Sequence, residues 1–101
     1  MSDIVTRQML LLSLQRSLLG EVHPVLRQAS IEADMTSHMV RLRFEYDGTP
    51  SDAIRESFSS AATEVIADFP ASWQLDEQHV SAPAPAPLSP LRFVAYRRAE
   101  A

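Results

Sequence analysis

Cysteine is absent from the 101 residues. That excludes disulfide staples, thiolate nucleophiles and cysteine-based zinc or iron-sulfur sites, so the fold must rest on burial of apolar side chains. Lysine is absent as well, all nine basic residues being arginine, and nothing functional follows from that. Two glycines give no phosphate-cradling loop. Long apolar runs are missing too. The longest in helix-forming sequence, Met9 to Leu12, falls far short of the roughly 20 residues that cross a bilayer. No basic stretch followed by an apolar stretch and a small-residue cleavage site opens the chain, so no secretory signal is expected and the expected location is cytoplasmic.

What the sequence does have is 46% hydrophobic residues, enough for the core of one domain spanning residues 1–101. Its net charge of −4 argues against nucleic-acid binding, which needs a concentrated positive surface. The layout of that charge is uneven. Residues 1–44 carry five arginines against four acids, and residues 78–101 three arginines against Glu100. Between them, residues 45–77 carry eight acids against Arg55 alone. Such an acidic block either keeps the protein soluble or attracts a basic protein by raising the encounter rate.

Periodicity predicts a first helix over about 3–19, capped by Ser2 or Asp3 and ended by Gly20. At 100° per residue, Ile4, Gln8, Leu11, Gln15 and Leu18 form one stripe, flanked by Leu14 on one side and by Val5, Leu12 and Leu19 on the other. Met9 and Leu10 fall outside it. The apolar arc is thus wider than one sheet-packed face requires, and part of it is expected to touch a loop, a partner or a second copy. Strands follow over about 25–33 and 39–46. The second is the clearer, alternating Val40, Leu42, Phe44 and Tyr46 with Arg41, Arg43 and Glu45. Thr49 and Pro50 predict the cap and first position of a second helix over about 50–69, with Ile54, Phe58, Ala61, Ala62, Val65, Ile66 and Phe69 on one arc. A weaker strand at about 72–80, an Ala/Pro connector at 82–90 and a last strand at about 91–97 complete the chain.

The order αββαββ, with Leu-Arg-Phe at both Leu42 to Phe44 and Leu91 to Phe93, suggests two αββ units. Paired, they would make an α+β two-layer sandwich: a four-stranded antiparallel sheet with both helices on one face. Its other face would either meet water or bind a partner.

Chemistry is harder to find. His23, His38 and His79 share no metal-ligand spacing with each other or with a carboxylate, so no metal and no cofactor is expected. Ser57, Ser59 and Ser60 lack a nucleophile elbow. No enzyme is expected. Asp52 and Glu56, one helical turn apart, lie near the positive end of the second helix, where the dipole offsets their mutual repulsion. They are either ordinary first-turn acids or part of a recognition face with Glu45, Asp47, Asp76 and Glu77. Trp73 is read as a core residue or an interface anchor.

Three segments, Leu18-Leu19-Gly20-Glu21-Val22, Leu42 to Gly48 and Ala62 to Pro70, resemble the immunity proteins of contact-dependent growth inhibition and related polymorphic toxin systems. The resemblance implies a small bacterial cytoplasmic antidote that binds the C-terminal toxic domain of a cognate toxin and blocks it. It transfers no catalytic residue. The expectation is therefore a non-enzymatic binding protein that meets a basic toxin through Glu45, Asp47, Asp52, Glu56, Asp76 and Glu77, with no nucleic-acid or membrane partner. The alternative is a structural or homo-oligomeric domain, such as a homodimer, that self-associates through the first helix or the open sheet face.

Overall fold

The computed structural model describes the backbone of residues 3–100 and the side chains of 7–100. Its elements are α1 (Asp3–Ser17), β1 (Leu26–Asp34), β2 (Met39–Tyr46), α2 (Asp52–Ala67), β3 (Gln74–Ser81) and β4 (Phe93–Arg97). The four strands form one sheet in the order β3-β2-β1-β4. β1 runs antiparallel to both β2 and β4, whereas β2 and β3 are parallel.

The sheet is therefore mixed, and the expectation of an antiparallel sheet is corrected. The cause lies in the connection. α2 carries the chain back to the starting end of β2, so β3 sets off in the same direction, as a β-α-β crossover requires. The second αββ unit is not a hairpin either: β3 and β4 sit on opposite edges of the sheet.

Both helices pack on one face. Leu10, Leu14 and Leu18 of the α1 segment and Phe58, Ala61, Ala62 and Val65 of α2 share a core with Ile31, Leu42, Phe44 and Tyr46. On α2 the predicted arc holds, with Ile54, Ile66 and Phe69 packed at its margin. Its cap is two positions later than expected: Ser51, not Thr49, precedes the helix, and its Oγ accepts from the Ile54 N–H at 3.2 Å.

On α1 the buried stripe is Leu10, Ser13, Leu14, Ser17 and Leu18, while Gln8, Gln15 and Leu12 are exposed. Leu10 was expected off the core face and Gln15 on it. Apolar residues at four consecutive positions offer several stripes, and close packing on α2 selects the one carrying the small Ser13 and Ser17. The side chains of Ile4 and Val5, and the cap expected at Ser2 or Asp3, lie outside the described residues.

β1 carries a bulge between Leu26 and Gln28. It turns Leu26 into the core and sends Arg27 to the opposite face of the sheet. Between β1 and β2, Asp34 Oδ1 accepts from the Thr36 and Ser37 N–H groups, and His38 takes the left-handed conformation at φ 54°.

The opposite sheet face is polar, and the chain covers much of it itself. Segment 82–92 runs from β3 to β4 across that face. Arg27 donates to the Ala82 and Ala86 carbonyls at 2.6 and 2.8 Å, the Ser89 N–H donates to Glu45 at 2.7 Å, and the Leu91 N–H to Ser30 Oγ at 2.9 Å. Arg43 adds a bond to the Ser89 carbonyl. The face expected to meet water or a partner is thus strapped by the Ala/Pro connector. Among the described residues, no buried side-chain nitrogen or oxygen lacks a partner.

Candidate protein-binding surface

The sheet divides the six candidate acids between its two sides. On the strapped side, Glu45 is 1% exposed and accepts from Gln28 Nε2 at 2.9 Å and from the Ser89 N–H. Asp76 lies 3.5 Å from Arg41, which also meets Glu32. Asp47, at the end of β2, accepts from the Ala84 N–H and from Arg98, both at 3.0 Å. These bonds hold its carboxyl below the usual range, the backbone N–H contributing most. Glu45, Asp47 and Asp76 are therefore occupied by the chain's own donors.

Asp52, Glu56 and Glu77 lie on the helix side and come together. Asp52 and Glu56 project from the first two turns of α2 and are exposed, with no ion-pair or hydrogen-bond partner among the described residues. Glu77, on β3, faces α2, because its Cα partner Leu42 points into the core. Together with Arg55, Ser59 and His79 the three acids line an open groove between α2 and β3.

Behind this groove runs a hydrogen-bonded chain into the core. Ser59 Oγ donates to Glu77 Oε2, His79 Nε2 meets the same oxygen at 2.5 Å, and His79 Nδ1 meets the Tyr46 hydroxyl at 2.7 Å. With Nε2–H donating to Glu77, Nδ1 accepts from Tyr46. Burial pushes the Tyr46 phenol above its ordinary range, so the hydroxyl keeps its proton to donate. The His79 ring also stacks on Phe44 at 5.4 Å.

A serine, a histidine and a carboxylate are thus adjacent, but in the wrong order for nucleophilic catalysis. Ser59 donates to the carboxylate and not to the imidazole, so the serine-to-imidazole contact of a catalytic triad is not formed. What the arrangement can do is hold Glu77 in one position at the groove floor, beneath two solvated carboxylates.

Sequence reasoning located only part of a second feature. Met9, Leu10, Ala33, Met35, Phe69 and Trp73 line an apolar groove at the opposite end of α2, with His38 stacked on Trp73 at 5.0 Å. It continues past Met9 and Phe69 to Leu12, Arg16 and Asp68. Met9 and Leu12 are 48% and 57% exposed. The surplus apolar arc of the first helix was the available signal. The contributions of Met35 and Trp73 depend on tertiary placement that periodicity does not carry.

No curated protein matches the chain. The family model described as "MafI2 immunity protein" matches residues 7–100. That span takes in α2, all four strands and the strap, so both the acidic groove and the apolar one are built on matched sequence: the chain belongs to the MafI2 immunity protein family.

Proposed function

We propose that this chain is the antidote to a cognate toxin: it binds the toxin's C-terminal domain and neutralises it by occlusion, with no chemistry of its own. Family membership across residues 7–100 is the observation that carries this reading. The contact we assign is the groove of Asp52, Glu56 and Glu77, which faces lysines or arginines of a basic toxin. Three carboxylates, two of them without a partner among the described residues and a third fixed in place, outnumber Arg55 in the groove and leave an attractive field for cations. Glu45, Asp47 and Asp76, engaged by Gln28, Arg98 and Arg41, are left out of the contact. The setting we assign is the bacterial cytoplasm, within contact-dependent growth inhibition or a related polymorphic toxin system.

The test pairs the chain with the C-terminal domain of the toxin encoded beside its gene. Co-expression is expected to restore growth, and failure to do so overturns the antidote reading. The double variant Asp52→Lys/Glu56→Lys is expected to stay folded with a loss of about 1–2 kcal/mol, because both lysines oppose the dipole at the start of α2. Its association with the toxin domain should slow at least tenfold at low salt. Unchanged association overturns the acidic contact alone.

The exposed Met9 and Leu12 beside Met35 and Trp73 favour a second reading, self-association through the apolar groove. Light scattering on the same samples separates the two: a dimer that persists at high salt and dissociates in Leu12→Glu supports it.

A further inference from the structure

β3 is an edge strand, and the direction of its backbone groups can be read from its register. The Gln74 N–H donates to the His38 carbonyl and the Ala82 N–H to the Tyr46 carbonyl, both across to the β2 side. In a parallel ladder the N–H and C=O of one residue point to the same side and alternate along the strand. Residues 74, 76, 78, 80 and 82 thus pair with β2, and Leu75, Glu77, His79 and Ser81 turn their N–H and C=O groups outward. No described residue bonds to those outward groups. None of the four is proline, and neither a bulge nor a lysine guards the strand.

The two sheet edges differ in charge. β4 has five residues, the last of them Arg97, pairs with β1 through an irregular register and is flanked by Arg92 and Arg98. β3 has eight regularly paired residues and carries Asp76 and Glu77, with Asp52 and Glu56 on the adjoining flank of α2.

We propose that the free edge of β3 receives an extended, basic segment of the toxin as a fifth strand. This deepens the antidote reading and rests on it. Main-chain bonds to Leu75, Glu77, His79 and Ser81 would supply affinity, and specificity would come from side chains at every second position of the added strand. Those on the helix side reach Asp52, Glu56 and Glu77, so lysine or arginine belongs there. At the β4 edge the same segment would instead meet Arg92 and Arg97, Arg98 being paired with Asp47 and Glu100.

Amide hydrogen exchange with a catalytically inactivated C-terminal domain of the neighbouring toxin tests this. In the free chain the amides of residues 76, 78 and 80 should exchange slowly and those of 75, 77, 79 and 81 quickly. Adding the toxin domain should slow the outward set by tenfold or more. Binding without that protection, or with protection at β4 instead, overturns the strand-addition proposal and leaves the antidote reading intact. Absence of binding overturns both. Outward amides already protected in the free chain, increasingly so with its own concentration, would assign the edge to a second copy and also overturn the proposal. Ser81→Pro offers an independent check, since it removes one outward N–H and none that β2 uses. It should weaken toxin binding about three- to tenfold, the net worth of one hydrogen bond, while the exchange pattern at residues 76 and 78 stays unchanged.

Discussion

The two faces of the sheet are held by different physics. Beneath the helices, Ile31, Leu42 and Phe44 meet leucines of α1 and Phe58 of α2, and stabilisation comes from apolar area removed from water. Beneath the strap, Gln28, Ser30 and Glu45 are equally buried, but each is satisfied by a partner from the strap or from a neighbouring strand. Non-directional burial tolerates several arrangements of side chains, whereas a buried carboxylate tolerates only the backbone path that brings it a donor. The polar face therefore fixes where an otherwise featureless Ala/Pro segment runs.

Three substitutions sharpen this contrast. The largest effect belongs to the helix face. Phe58→Ala removes a ring that is fully buried and lies 5.2 Å from that of Phe44. Urea unfolding should show a loss of about 3–5 kcal/mol, with little dependence on pH. On the strapped face, Glu45→Ala leaves the Gln28 amide and the Ser89 N–H without their acceptor. The expected loss is about 1–3 kcal/mol, accompanied by faster amide exchange at Ser89 and Leu91. If exchange in the strap were unchanged, the strap would not depend on that carboxylate.

The smallest effect shows itself only with pH. Glu100 accepts two bonds from Arg27, both at 2.8 Å, and two from Arg98 at 2.9 and 3.2 Å. The Arg27 bonds first, then those of Arg98, hold its carboxyl down to about 2, against an ordinary value of 4.5. A carboxyl that binds its proton less readily when folded contributes stability above pH 4.5, and that contribution fades as the pH falls toward 2. Melting temperatures of Glu100→Gln and the parent chain should therefore differ near neutrality and converge in acid. A constant difference between pH 2 and 6 would remove the carboxylate from this role.

Legibility in the sequence followed the strength of each periodic signal. β2 alternates strictly and α2 keeps one apolar arc, and both were readable almost residue by residue. α1 was not, because Met9 to Leu12 are apolar all round and the choice among stripes belongs to the partner surface. The parallel pairing of β2 with β3 was also hidden: no residue in either strand encodes direction, which is set by the path of α2. For the candidate site, sequence identified acids but not their sides. Alternation along β2 and β3 puts Glu45 and Asp76 beneath the sheet and Glu77 above it, a division that becomes visible only once the register is known. The Ser59, Glu77, His79 and Tyr46 chain spans three elements and left no local signature.

The path of the strap also bears on the order of assembly. β1 and β2 are joined by a short turn, whereas Gln28 and Arg97 meet across 69 positions. Contacts so distant along the chain form late. A nascent polypeptide leaving the ribosome would expose the outer rim of β1 until β4 has been synthesised.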